Sequence, residues 1–262
     1  REAEENFYME KAVNFFKKYG ITVSIYVALI LLYKIISDNG LVNAFLFPSI
    51  ESICRAFQGD TNTMFLNMLF SFKLLIPSVV VSLIFALGVG TLLGMNRRLR
   101  EILHPIVYTF SVVPSILLSP FALLLAPSFW AASLFLVVYG TVWATLFATI
   151  TGIMTIDKRY LDKAATLELH GWKRLTKVIL PAASPSILAG FVNSLRSSFV
   201  MLVYAEMYGA KYGMGYYVRK YADFGLYDRT WAGFVFMVVI LVIVMQIFEH
   251  IKKYMLKWTI SQ

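Results

Sequence analysis

Long apolar runs dominate this sequence, and each is about as long as a helix that crosses a lipid bilayer. A hydrocarbon core about 30 Å thick needs about 20 residues of helix. Because the core holds no water to bond the backbone, and strand-type alternation is absent, the runs are predicted to be helical. The six runs are Ile21–Ile36, Leu74–Leu93, Ile106–Ala126, Phe129–Ile150, Ile187–Tyr208 and Trp231–Glu249. The predicted fold class is an all-α integral membrane protein with six transmembrane helices.

Composition excludes several other classes. Of the 262 residues, 59% are hydrophobic and 15% are charged, against about 45–50% and about 25% in soluble domains. The net charge of +9 lies in short segments between the apolar runs, without an aromatic-interleaved basic face, so no nucleic acid partner is expected. A single cysteine, Cys54, and three scattered histidines offer neither a disulfide framework nor a metal site.

The basic residues predict the orientation in the bilayer. With six spans, 16 of the 24 Lys and Arg residues fall on one side, which is then the cytoplasm. These residues are Arg1, Lys11, Lys17, Lys18, Arg97, Arg98, Arg100, Lys158, Arg159, Lys163, Lys173, Arg174, Lys177, Lys252, Lys253 and Lys257. Both termini are therefore expected inside the cell, with residues 1–20 a cytoplasmic segment before a retained anchor helix.

Two segments on the opposite side carry patterns of their own. Residues 48–57 open with a proline and place apolar residues on one helical face, which predicts a short helix along the outer surface. Residues 209–229 are rich in Gly and Tyr, which predicts an ordered interfacial loop. No internal repeat or second domain is apparent, so residues 1–262 are predicted to be one transmembrane domain.

A polar, basic segment, residues 157–181, separates the fourth and fifth runs. Apolar residues recur at helical spacing over 160–169, and charged residues occupy the other face. Gly171 can interrupt that helix, and Pro181 is expected to stop the next one. The pattern predicts a helix–turn–helix on the cytoplasmic surface. Two interpretations stay open at this point, an amphipathic helix resting on lipid headgroups and a docking element for a cytoplasmic protein.

This segment resembles the coupling motif of type I ABC importer permeases, Glu-Ala-Ala-x3-Gly-x9-Ile-x-Leu-Pro. Aligned through Leu180-Pro181, Asp162 takes the Glu position and Val178 the Ile position without a gap. Two positions depart from the motif, because Lys163 replaces an Ala and Glu168 stands where Gly is expected. Gly171 follows three residues later and can supply the bend.

The resemblance covers roughly residues 45–258. NRRLREILHPIV resembles the family's Arg-rich loop after the second span, and VVPSILLSPFALL its proline-punctuated third span. LVYAEMYGAKYGMGYYV is similar to the Ala-Glu-Met…Gly-Leu-Gly-Tyr signature of the nitrate/sulfonate/taurine/bicarbonate subfamily, and LFPSIESICRAF to its Leu-Pro-Ser-Pro segment. Together these motifs are specific, although none is specific alone.

The resemblance implies a permease subunit in the inner membrane of a bacterial-type cell, with no catalytic residues. It implies four kinds of contact: two cytoplasmic ATP-binding subunits, a second permease chain, an extracytoplasmic solute-binding protein and the bilayer. A homodimer is expected, with a heterodimer as the alternative. ATP and Mg are expected in the partner ATPase, because this chain has no Gly-x4-Gly-Lys-Ser/Thr. The residues expected to contact that ATPase are Tyr160, Leu161, Asp162, Lys163, Ala164, Leu167, Glu168, Leu169, Gly171 and Trp172.

Polar residues inside the fifth run suggest where a solute passes. Asn193, Arg196 and Ser197 form a polar stripe, and a charge in a membrane normally faces a cavity or a partner. Glu206 lies ten residues after Arg196 and is interpreted as a pathway residue or, more simply, as one half of a structural salt bridge. Since cations outnumber anions there, a small anionic solute such as a sulfonate or nitrate is favoured, with a vitamin precursor as the alternative.

Two other classes of function compete with an ABC permease. A secondary transporter would show an inverted internal repeat and would work without ATP. A membrane-embedded enzyme would need titratable groups that converge within the spans, and the spans contain too few.

Overall fold

The computed structural model describes residues 2–257, with side chains described from residue 19 onward. Helices form nearly all of this part, and no strand occurs within it. The α-helices are α1 Glu2–Asp38, α2 Ile50–Met95, α3 Arg97–Val112, α4 Ser119–Leu125, α5 Phe129–Met154, α6 Lys158–Thr166, α7 Gly171–Arg174, α8 Leu180–Gly209, α9 Met214–Asp223 and α10 Tyr227–Met255. Arg1 and the side chains of Lys11, Lys17 and Lys18, which belong to the first predicted basic group, lie outside the described residues.

Five helical stretches are long and apolar enough to cross a membrane, and a sixth forms if one bent pair counts as a single span. This confirms the predicted all-α fold. The bent pair joins α3 to Ser115–Leu125 at an angle of 81°, so the predicted third span, Ile106–Ala126, contains a sharp break. The residue before a proline is driven towards extended backbone. Val113, which precedes Pro114, accordingly has φ −71° and ψ 117° and breaks the helix.

Contacts divide the chain into two compact units. The larger unit comprises Thr61–Lys220 and Gly233–Gln262, and α5 and α8 form its centre. The smaller unit comprises Arg1–Asp60 and Tyr221–Ala232.

Small residues bring α5 and α8 into close contact. A Cβ added to Gly190 would overlap Ala148, and one added to Gly152 would lie 3.2 Å from a carbonyl oxygen of α8. At the middle of the seam, the Thr145 amide and hydroxyl bond the Ser194 hydroxyl at 3.0 and 2.7 Å. Helices in lipid associate through such small residues and interhelical hydrogen bonds, because burying apolar surface gains little there. Close backbone approach and interhelical hydrogen bonds therefore hold the seam together.

The long helix α2 packs against this seam. A Cβ at Gly90 would lie 2.7 Å from Thr149 Cβ, so only a glycine allows this approach. Further along, Leu74 and Leu75 of α2 join a buried cluster with Leu195 of α8, and side chains of α10 pack against it. Because α2 runs unbroken over 46 residues, the separate short helix predicted over 48–57 was wrong. Gly59 lies between the two predicted helices, and one glycine costs a helix only about 1 kcal/mol.

In the smaller unit, the side chains near the end of α1 contact the segment that leads into α2. The Tyr33 hydroxyl donates to the Pro48 carbonyl at 2.8 Å, and Lys34 pairs with Asp38 at 3.3 Å and with Glu51. None of the apolar window of Tyr19–Asp38 is buried within the chain. A long apolar helix whose surface stays unburied is typical of one that faces lipid or another subunit.

The Gly- and Tyr-rich segment 209–229 is largely helical, which corrects the predicted loop. Gly213 has φ +114°, a conformation that favours glycine, and α9 begins directly after it. Met214 and Tyr217 are buried, so α9 is an amphipathic helix with an apolar inner face. Three of the five tyrosines in this segment, Tyr216, Tyr217 and Tyr221, belong to α9.

Candidate functional site

The α6–α7 loop, residues 157–174, begins with a capped helix. The Asp157 carboxylate accepts the backbone N–H of Arg159 at 2.9 Å and thereby caps α6. The Arg159 guanidinium bonds the same carboxylate at 2.6 and 2.9 Å. These hydrogen bonds stabilise the ionised form and hold the pKa of Asp157 below its ordinary value.

One face of α6 rests on the membrane helices. Leu161 packs against a buried cluster that includes Ile153 at the end of α5 and Ala183 at the start of α8. Ala164, one turn later, is 1% exposed. Small and apolar residues at this spacing seat α6 on the same two helices that form the tight seam.

The end of α6 is a Schellman motif with an unexpected residue in it. The Glu168 amide donates to the Ala165 carbonyl at 2.9 Å, and the Leu169 amide donates to the Ala164 carbonyl at 3.0 Å. This pattern needs a left-handed residue after the helix, normally glycine, and Glu168 has φ +50°. The position where the resembled motif has Gly is therefore the position that needs it, and Glu168 adopts the strained conformation instead.

The chain then turns into the next helix at Gly171, which has φ +52°. From Gly171 to Gly209 the helix is continuous, with a π-helical turn over Leu175–Ile179. The expectation that Pro181 would stop the helix was wrong. Leu180 donates to the Leu175 carbonyl five residues back, and this wider turn carries the helix past the proline, which lies in the first turn of α8.

The outward side of the loop exposes large apolar side chains. Leu167 is 62% exposed, Trp172 is 75% exposed, and Tyr160 is also exposed. The remaining residues expected to contact an ATPase lie in the same loop. Asp162, Lys163, Glu168 and Gly171 are exposed, Leu161 and Leu169 are half-buried, and Ala164 is buried. The loop therefore exposes both large apolar and charged side chains.

The predicted polar stripe lies on the exposed face of α8. Asn193, Arg196 and Ser197 are all exposed, and their spacing places them on one side of the helix. Arg196 lies 3.6 Å from Glu249 of α10, and Lys252 contacts the same carboxylate at 2.7 Å. The stripe is available to a solute or to a second chain, while the hydroxyl groups of the neighbouring Ser194 and Ser198 are engaged within the unit.

Glu206 is not part of that stripe. It is 1% exposed, and its carboxylate accepts the Gly215 N–H at 2.8 Å. No salt bridge to Glu206 occurs among residues 19–257, so the predicted structural ion pair was wrong. The turn between α8 and α9 supplies the partner instead: a Cβ at Gly213 would overlap the Glu206 carboxylate, so a glycine is needed there. The Gly-x-Gly spacing of residues 213–215 was the signal for this close approach.

Two features of the site were not predicted. The Thr145–Ser194 hydrogen bonds were missed because nothing in the sequence distinguishes these two residues from other small side chains in the apolar runs. The left-handed conformation of Glu168 was signalled only by its departure from the motif. Within the described residues, no group of three or more His, Cys, Asp or Glu is placed to hold a metal ion.

The sequence and the fold are similar to those of several known proteins. Residues 78–257 match the family model described as binding-protein-dependent transport system inner membrane component. A putative aliphatic sulfonates transport permease protein of Bacillus subtilis is 25% identical over 88% of this chain and 84% of its own length. A bicarbonate transport system permease protein of Synechococcus elongatus is 26% identical over 72% of this chain and 62% of its own length.

A nitrate import permease protein of Leptolyngbya laminosa is 24% identical, covering 62% of this chain and 58% of that protein. Among solved structures, the inward-facing MetNI methionine ABC transporter superposes with a TM-score of 0.59 at 16% identity. That match covers 71% of this chain and 92% of the other. At this identity the structural match concerns the fold.

Proposed function

Because the chain belongs to the family of binding-protein-dependent transport system inner membrane components, we propose that its α6–α7 loop docks onto a cytoplasmic ATPase and passes that protein's motion to the membrane helices. The chain is a permease subunit of an ABC importer, a multi-pass membrane protein that serves transport and not catalysis. The exposed apolar surface of the α6–α7 loop is the observation that carries the proposal.

Leu167 and Trp172 give the loop its affinity for a protein partner. Leaving large apolar side chains in water costs about 25 cal/mol for each Å² of apolar surface, which docking recovers. A contiguous apolar surface with a polar rim is typical of a protein–protein contact. The charged residues Asp162, Lys163 and Glu168 would form the rim of that contact.

The packing beneath the loop supports mechanical coupling. Leu161 and Ala164 seat α6 on α5 and α8, and the hydrogen-bonded cap at Glu168 fixes its end. Close-packed interiors transmit displacement because they contain little free volume. A movement of α6 would therefore shift α5 and α8 as one body, which is the kind of rigid motion that opens and closes a pathway.

The solute pathway is proposed along the exposed polar face of α8 with Asn193, Arg196 and Ser197. Glu206, the fourth residue predicted to line the pathway, is buried and would instead support the α8–α9 turn. The positive guanidinium of Arg196 on this face favours a small anionic solute. Three relatives of the chain are named as permeases for aliphatic sulfonates, bicarbonate and nitrate. A vitamin precursor or another small nutrient, moved in the same way, is the alternative cargo.

The assembly is proposed to contain two permease chains, two ATP-binding subunits and an extracytoplasmic solute-binding protein. The partner ATPase would bind ATP and Mg, and both permease termini would lie in the cytoplasm. The basic groups around α3, the α6–α7 loop and the end of α10 support this orientation. The unburied apolar surface of α1 and the exposed face of α8 are surfaces on which a second permease, preferably an identical one, can pack.

Substitution of the docking surface tests the proposal. Leu167→Asp should reduce copurification of the ATPase at least tenfold and abolish ATP-dependent uptake, because a charge enters a buried contact. Tyr212→Asp is the matched control: Tyr212 is 61% exposed and lies at the opposite end of α8, so the ATPase should remain bound.

Retention of the ATPase by the Leu167 variant would overturn the docking assignment. Uptake that continues after ATP depletion would identify a secondary transporter instead.

A further inference from the structure

A cavity of about 450 Å³ lies in the larger unit at the end opposite the α6–α7 loop. Its walls come from the middle of α2, the first turns of α5 and the end of α8 with the turn after it. Because α5 runs towards α6 and α8 runs away from it, residues 128–133 and 206–212 meet at this far end. The volume is within the range of about 300–1,000 Å³ that is typical of small-molecule sites.

Positive charge predominates in this cavity. Lys73 and Lys211 line it, and neither has a salt-bridge partner within the described residues. The start of α5, capped by the Ser128 hydroxyl at 3.2 Å from the Ala131 amide, adds the partial positive charge of a helix N-terminus. The one acidic wall residue, Glu206, already accepts a hydrogen bond from the Gly215 amide.

An unsatisfied hydroxyl marks the floor of the cavity. Ser133 is 2% exposed, and its Oγ has no hydrogen-bond partner in the structure. Buried polar groups are almost always hydrogen-bonded, so an orphaned one calls for a ligand or water. The same hydroxyl faces Gly209 closely, since a Cβ there would lie 3.1 Å from it.

Aromatic side chains form the remaining wall. The rings of Phe70 and Tyr212 stack with centroids 4.9 Å apart and planes 24° apart, and Trp130 lines the cavity beside them. A wall of this kind buries an apolar group well but cannot hold a bare, strongly hydrated ion. The cavity therefore favours a molecule with a polar, anionic end for the ammonium and hydroxyl groups and an apolar end for the aromatic rings.

We propose that this cavity binds an oxyanion carried on a short apolar stem, with Lys73, Lys211 and the Ser133 hydroxyl holding the anionic head and the Phe70–Tyr212 stack holding the stem. A small alkanesulfonate or carboxylate has this chemistry, and so does the headgroup region of an anionic lipid. The inference rests on the proposed function for its ligand class, since an alkanesulfonate is also a cargo of the class favoured above, but binding here requires neither the ATPase nor the solute-binding protein.

The test uses the full chain in nanodiscs of phosphatidylcholine, without nucleotide, titrated with hexane-1-sulfonate by isothermal calorimetry. Saturable binding of one hexane-1-sulfonate per chain is expected. Hexan-1-ol, which lacks the charge, and inorganic sulfate, which lacks the stem, should each bind at least tenfold more weakly. Equal binding of all three probes, or no saturable binding of hexane-1-sulfonate, would overturn the proposal.

Variants locate the site. Ser133→Ala should weaken hexane-1-sulfonate binding about tenfold, the usual effect of one hydrogen bond to a charged group. Lys73→Gln with Lys211→Gln should have an effect of similar size. Lys158→Gln with Lys173→Gln is the matched control, since it removes the same charge from the α6–α7 loop and should leave binding unchanged. Equal effects of the two double variants would refute the site.

A second nanodisc preparation with phosphatidylglycerol distinguishes the two sources of the oxyanion. A fivefold or larger rise in the apparent dissociation constant for hexane-1-sulfonate would identify the lipid headgroup as the resident ligand. An unchanged constant would identify a soluble anion. Either result supports the proposal, and neither bears on whether Leu167 docks an ATPase.

Discussion

Replacing Glu168 with glycine is expected to stabilise α6. Left-handed backbone costs an ordinary residue about 1–2 kcal/mol, and Glu168 has φ +50°. Glycine removes that cost but adds about 0.5–1 kcal/mol of conformational entropy to the unfolded segment. The difference is a gain of about 0.5–1 kcal/mol in the local opening free energy of the α6 cap, which corresponds to roughly a twofold to fivefold slower amide exchange.

Hydrogen–deuterium exchange of the full chain in nanodiscs measures this gain at the amides of residues 167–169, which form the cap. Glu168→Ala is the matched control, because it removes the side chain and keeps the strained backbone. Gly171→Ala provides the opposite case: Gly171 has φ +52° with open space around it, so an added methyl group strains the backbone and exchange should accelerate. Equal exchange in the glycine and alanine variants of residue 168 would refute the strain argument.

Three further predictions concern packing and charge. Gly213→Ala should destabilise the larger unit by at least about 2 kcal/mol, because the new methyl group meets the Glu206 carboxylate and the backbone has φ +114°. Thermal unfolding in nanodiscs measures this loss, and an unchanged unfolding midpoint would contradict it. In the same assay, Gly190→Ala should cost about 1–3 kcal/mol, since the methyl group overlaps Ala148, and tolerance of this change would disprove the tight seam. The pKa of Asp157 is lowered in the folded chain from an ordinary value of 3.8. Its stabilisation of α6 is therefore present above about pH 4 and lost as pH falls through the lowered pKa. Amide exchange in α6 should show this loss of stability in the native chain and not in Asp157→Asn.

Local physical rules account for what the sequence predicted well. The apolar runs are long enough for helices that cross a membrane, and the helical spacing of Leu161 and Ala164 predicted a helix before the fifth run. These features depend on periodicity and length, which neighbouring residues largely determine.

The errors concern how the backbone accommodates a proline or a buried carboxylate. Pro181 was expected to end a helix, but a π-helical turn carried the chain past it. The break at Pro114 bends the predicted third span by 81°, and the size of that angle could not be read from the sequence. A charged partner was predicted for Glu206, but its carboxylate accepts a hydrogen bond from a backbone amide of the Gly-x-Gly turn. In each case the sequence contained the residue responsible, but its effect depended on which backbone groups the fold brought nearby.

Accessibility of Leu167 tests the central claim most directly. Leu167→Cys is introduced in a Cys54→Ser background, which removes the chain's one native thiol, and is treated with a membrane-impermeant maleimide. Labelling should occur in inside-out vesicles stripped of the ATPase, fail in intact spheroplasts, and fall at least tenfold when the ATPase is restored; Tyr212→Cys should show the opposite sidedness. Labelling of residue 167 from outside the cell, or labelling that the ATPase leaves unchanged, would contradict the account.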